Sequence, residues 1–84
     1  MCMTKQEYLQ LKRYIKSVCT DTIDELSCQS GLTEYEHSLL LYLNKDTSRI
    51  KTCIDLGISE WKYTKDLQRA LMKLGDYIKR TNQN

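Results

Sequence analysis

The sequence predicts an all-α fold, a small tri- to tetrahelical helix-turn-helix domain with an extra N-terminal helix, and three observations carry that reading. The chain has no proline and only three glycines in 84 residues, so the tight turns that a sheet of this size requires have almost none of their usual signals. Two Thr-x-x-Glu capping boxes, Thr4 with Glu7 and Thr33 with Glu36, mark helix starts. Apolar residues then recur at intervals of three and four along most of the chain. With 40% hydrophobic and 29% charged residues, the composition is that of one globular domain over 1–84. Residues 1–31 form an N-terminal helical segment and 32–80 the helix-turn-helix unit.

The first helix should begin near Lys5. Its apolar positions are Tyr8, Leu11, Ile15, Val18, Thr22 and Leu26, with Lys12, Arg13 and Lys16 on the other side. The pattern permits either an unbroken helix to Leu26 or a restart at Asp21, and Gly31 closes the segment in a left-handed conformation. Leu9, Tyr14 and Ile23 flank this stripe and either form a second apolar strip or widen the buried face. A second helix follows Thr33 and runs to about Leu43. It is apolar on more than one side (Tyr35, Leu39, Leu40, Leu41, Tyr42, Leu43), which places it at the centre of the core. His37 falls on its opposite side and is expected to be solvated, with no catalytic partner. After the polar turn 44–48, Ile50, Cys53 and Ile54 give a brief helical stripe ending at Leu56-Gly57. Ser59 then caps a long last helix whose face Tyr63, Leu67, Ala70, Leu71, Leu74 and Ile78 keeps the 3.6-residue period throughout.

Composition excludes several functional classes. The longest apolar run, Leu39 to Leu43, is far short of the roughly 20 residues of a membrane-spanning helix. Lys5, Gln6, Glu7, Lys12, Arg13 and Lys16 interrupt any signal-peptide core, so a cytoplasmic chain with reduced thiols is expected. Cys2, Cys19, Cys28 and Cys53 lack close-pair spacing and His37 is the only histidine. A zinc site is therefore not implied, and the three interior cysteines are expected to be buried free thiols. No nucleophile–base pair, carboxylate pair or phosphate loop is visible, so neither an enzyme nor a cofactor is implied.

A short helix, a glycine turn, Ile-Ser and a long helix make a helix-turn-helix signature: Cys53 is small where two helices meet, Gly57 permits a positive φ, and Ile58 plugs the angle. Leu32-Thr33-x-x-Glu36, Leu39-Leu40, Cys53-Ile54-Asp55-Leu56-Gly57-Ile58-Ser59 and Arg69-Ala70-Leu71-Met72-Lys73-Leu74 together resemble region 4 of bacterial RNA polymerase sigma factors, and small sigma-like regulators of phages and mobile elements. The resemblance covers about residues 32–80. It implies that the helix after Gly57 enters the major groove of DNA, so that Ser59 to Arg69 lie at the nucleic acid. The sequence departs from the family at Glu60, Trp61, Thr64 and Lys65, where primary sigma factors are rich in Arg, Glu and Gln, so a standard promoter element is not implied. Thr52 stands where a large aliphatic residue is usual, with Ile50 and Ile54 available to compensate. Sigma region 2 is absent, and promoter melting is not expected.

Independently of that resemblance, the face of the last helix opposite Tyr63, Leu67 and Leu74 carries Trp61, Lys65, Gln68, Arg69 and Met72, with Lys62 and Lys73 at its edge. On this basis Lys62, Lys65, Arg69 and Lys73 are expected at phosphates, and Trp61, Thr64, Lys65 and Gln68 near base edges. Ser59 caps the helix, and Glu60 either complements the helix dipole or accepts from cytosine. Residues 44–84 hold nine Lys and Arg against five Asp and Glu, a local charge of +4, which is weak for a monomeric nucleic-acid binder. The expected function is therefore a sequence-specific duplex-DNA-binding transcriptional regulator, strengthened by a homodimer through the N-terminal helix or by riding on RNA polymerase. Two alternatives are a sigma-like decoy that docks on RNA polymerase or another factor, and the DNA-recognition subunit of a phage packaging machine.

Overall fold

The structure, a computed structural model, describes residues 4–82; Cys2 lies outside the described residues. Five helices follow one another: α1 (Lys5–Ser17), α2 (Thr20–Gln29), α3 (Glu34–Asn44), α4 (Arg49–Leu56) and α5 (Glu60–Asn82), with no strand among the described residues. The N-terminal segment is thus two helices rather than one. Its break falls at Val18 and Cys19, both extended. The cause is distant in sequence: the Asn44 side-chain amide donates to the carbonyls of Ile15 and Val18 at 2.8 and 2.7 Å, giving the end of α1 the partners that a further helical turn would have supplied. The bend turns Ile23 into the core, where it is fully buried, while Leu9 and Tyr14 stay exposed. No second apolar strip containing Ile23 exists.

Both capping boxes form. The hydroxyls of Thr4 and Thr33 accept from the amides of Glu7 and Glu36, whose carboxylates accept from the cap amides in return. Ser48 and Ser59 cap α4 and α5 through the amides of Lys51 and Lys62, at 3.2 and 3.1 Å. Three helices end alike, on a left-handed residue: Gly31 (φ 75°), Asp46 (φ 57°) and Gly57 (φ 67°). In each case the next amide reaches back five residues, Leu32 to Ser27, Thr47 to Tyr42 and Ile58 to Cys53, each at 3.0 Å, closing the helix in a Schellman manner.

α3 packs against α1, α2 and α5, and α4 against α5, so α3 is the central strut that its all-round apolarity predicts. Leu39, Leu40 and Leu43 from α3 meet Tyr63, Leu67, Ala70, Leu71 and Leu74 from α5, with Ile15 and Ile23 completing the core. α1 comes close to α5 at Gly75, where an added Cβ would stand 3.2 Å from Leu11 Cδ1. α4 departs from expectation. Thr52 and Cys53 face inward, whereas Ile50 and Ile54 are 62% and 74% exposed, so they do not compensate for Thr52. An eight-residue helix packed chiefly on α5 buries one arc, and the arc holding Thr52, Cys53 and Leu56 excludes positions 50 and 54. Thr52 is tolerated there because its hydroxyl donates to the Ser48 carbonyl at 2.9 Å. Of the cysteines described, Cys53 alone is buried; Cys19 and Cys28 are exposed, which corrects the expectation of three interior thiols.

Candidate nucleic-acid interface

The segment Gly57-Ile58-Ser59 joins α4 to α5 in three residues, because the left-handed Gly57 reverses the chain at once and Ser59 starts the next helix. Ser59 is committed to that cap. Glu60, in the first turn of α5, accepts from Arg49 Nε at 3.1 Å, so its carboxylate sits between a helix N-terminus and a guanidinium on α4. This position suits a dipole-complementing charge.

Beyond it, α5 shows solvent the face that the helical wheel predicts. Trp61, Lys65, Gln68, Arg69 and Met72 are exposed and Thr64 is half-buried. Trp61 is 73% exposed, and the Lys65 ammonium lies over its ring, 4.8 Å from the centroid, so a flat aromatic surface and a cation are presented as one unit. Lys65 and Arg69 have no ion-pair partner among the described residues. Lys51 and Lys45, on and just before α4, have none either.

Lys62 and Lys73, expected at phosphates, each hold an ion pair at the surface. Lys62 pairs with Asp66 at 3.0 Å and lies over the Tyr35 ring. Lys73 pairs with Glu36 at 2.8 Å. The two carboxylates are buried and the two lysines line one shallow depression with Thr33, Tyr35 and Arg69. Burial alone would raise the Asp66 pKa, but the Tyr35 hydroxyl, donating at 2.8 Å, and Lys62 outweigh it and hold the carboxyl below its ordinary value. Glu36 behaves alike: burial raises it, and Lys73 with the Thr33 amide carries it below the usual range. Burial, then the hydrogen bond to Asp66, pushes the Tyr35 phenol up to about 12. This network ties α5 to the start of α3, and the lysine heads are its counter-charges. The sequence hints at it only through the capping box at Glu36 and the i,i+4 spacing of Lys62 and Asp66; Tyr35 lies 31 positions from Asp66, with no local signal.

His37 also differs from expectation. Its Nε2 lies 2.6 Å from Asp24 Oδ1, clamping α3 to α2 at the surface instead of standing alone. Among the described residues no group of three or more His, Cys, Asp or Glu could hold a metal ion. No described helix is long and apolar enough to cross a membrane. No family model matches the chain, and comparison with curated proteins and with solved structures finds no match either.

Proposed function

We propose that this chain is a non-enzymatic, duplex-DNA-binding transcriptional regulator in which α4, the Gly57 turn and α5 act as a helix-turn-helix and α5 is the recognition helix. The observation that carries the reading is the exposed face of α5: Trp61 under the Lys65 ammonium, followed by Gln68 and Arg69, with neither cation in a direct ion pair among the described residues. Unpaired cations on a rigid helix gain most by neutralising phosphates, since no internal pair has to be broken first. An aromatic plane and an amide beside them offer contacts to base edges and thymine methyls. Lys65 and Arg69 are the phosphate contacts, Trp61, Thr64 and Gln68 the base-side residues, and Ser59, Glu60, Lys62 and Lys73 hold the helix in place. The sigma-region-4 resemblance supports the same unit and extends the proposal to a chain that works beside RNA polymerase in the cytoplasm.

The test follows Trp61 fluorescence while mixed-sequence duplex DNA is added at several salt concentrations. Quenching that weakens steeply with salt is expected. No response at low salt, from a folded and helical sample, overturns the proposal in favour of a sigma-like decoy that docks on protein alone.

A further inference from the structure

α4 carries an apolar surface that its packing on α5 leaves open to solvent. Ile50 and Ile54 stand one turn apart on its outer side, the two most exposed aliphatic residues described, and with Cys53, Gly57, Ile58 and Glu60 they line a shallow apolar depression. Single exposed aliphatics are ordinary, but a contiguous patch on so small a domain marks an interaction site. Beside this strip, on the flank of α4 turned toward α3, run Lys51 and Asp55, one position further on in each case and lining a separate depression with Leu41 and Tyr42. Both are exposed, and neither takes an ion-pair partner among the described residues, although their i,i+4 spacing would allow them to pair with each other.

That pattern is complementary to itself. When two copies of α4 lie antiparallel across a two-fold axis, the Ile50–Ile54 strips face one another and the Lys51–Asp55 flanks fall on the same side. Lys51 of each copy then faces Asp55 of the other. A parallel two-fold instead carries the two flanks to opposite sides of the contact, where neither Lys51 nor Asp55 meets its counterpart. A closed isologous contact requires this kind of self-matching patch. A foreign partner would have to carry the same apolar pair with the charge order inverted, whereas a second copy supplies it by symmetry.

We propose that a second copy of this chain docks antiparallel on the outer face of α4, through Ile50 and Ile54 with Lys51 and Asp55 as the register-setting charges. The contact involves no DNA and does not use the Trp61–Arg69 face of α5. One short helix per partner buries well under the roughly 800 Å² per side of a standard stable complex, so the dimer is weak and appears on concentrating the protein.

Sedimentation velocity over a concentration series without DNA tests the proposal. The natural chain should shift from monomer to dimer in the range of tens to hundreds of micromolar, on the order expected for a small interface. Lys51→Asp and Asp55→Lys each place like charges across the two-fold axis and should weaken self-association about tenfold. Their equimolar mixture restores opposite charges on both sides, so a heterodimer should form where neither variant alone self-associates. Ile54→Glu should abolish the dimer. All three substituted positions are exposed, so helical content by circular dichroism should stay unchanged. A natural chain that remains monomeric at millimolar concentration overturns the proposal and leaves the strip to DNA or an unrelated protein. A mixture no stronger than its two components, or a dimer indifferent to Ile54→Glu, overturns the antiparallel α4 contact.

Discussion

Two pairs of cations on α5 carry the same charge but different surroundings, and neutralising each pair should separate DNA contact from internal support. In one variant Lys65 and Arg69 become glutamine; in the other Lys62 and Lys73 become methionine. Each change removes two positive charges, so the bulk electrostatic loss is equal. Lys65 and Arg69 form no direct ion pair among the described residues, and each should supply about 0.9 of the slope of log affinity against log salt. Losing both flattens that slope by about 1.8, so between 50 and 200 mM salt the affinity of the natural chain should fall about 12-fold more than that of the variant. Thermal stability should be unchanged. Lys62 and Lys73 neutralise the buried carboxylates of Asp66 and Glu36. Because the lysine side chains are themselves 54% and 40% exposed, each pair is worth about 1 kcal/mol rather than the 3–5 kcal/mol of a fully buried one. The second variant should therefore lose about 2 kcal/mol, or about 10 °C in Tm for a domain of this size, and should keep most of its salt slope. Salt-titrated fluorescence anisotropy and thermal melts on the same samples supply both numbers. Equal slopes in the two variants would refute the division of α5 into contacting and supporting cations.

Other consequences concern stability and the α4–α5 connection. Glu36 and Asp66 titrate below their ordinary values of 4.5 and 3.8, so the folded state binds those protons less readily than the unfolded chain. Their contribution is complete above about pH 5 and is lost as the pH falls through the folded values; urea midpoints should be flat from pH 7 to 5 and then drop, less steeply in Glu36→Gln. Tyr35 runs the other way: its raised pKa of about 12 adds stability that is whole below about pH 10 and disappears as the pH climbs to that value, so Tyr35→Phe should blunt alkaline unfolding. A Cβ at Gly57 meets no atom within 4 Å, so Gly57→Ala should cost only the left-handed backbone penalty, about 1–2 kcal/mol, with Gly57→Asn costing less. A larger loss would reveal a steric role for the turn. Thr52→Val removes a buried hydroxyl together with its need for a partner and should change stability by less than about 1 kcal/mol, read from the urea midpoint.

Much of this architecture was legible in local chemistry. Thr4, Thr33 and Ser59 mark helix starts because a cap needs only its own next three residues, and α5 declares its buried face because it repeats that face from Tyr63 to Ile78, over about four turns. Gly31 and Gly57 are readable for the same reason. What stayed hidden depends on distant partners. The break at Val18 needs Asn44, and the withdrawal of Lys62 and Lys73 from solvent duty needs Tyr35, Asp66 and Glu36 to converge from two helices. α4 misled because eight residues are too few for a period to distinguish an inward isoleucine from an outward one, and because a buried threonine with its hydroxyl satisfied locally looks polar in sequence. The exposed face of α5 was readable as a set of residues, but not the division of its lysines.

The two hydrogen bonds from Asn44 to the carbonyls of Ile15 and Val18 also constrain how the molecule comes together. During synthesis the first two helices leave the ribosome before their hinge pin exists. Until α3 has formed and brought that amide alongside, the carbonyls at the hinge are best satisfied by continuing the helix through Val18, with Ile23 carried off the side it finally occupies. On this reasoning the bend should form only as α3 docks. An excised peptide of residues 4–31 should be straighter than the same residues in the whole protein, and a graft of this segment onto another scaffold would have to carry α3 with it.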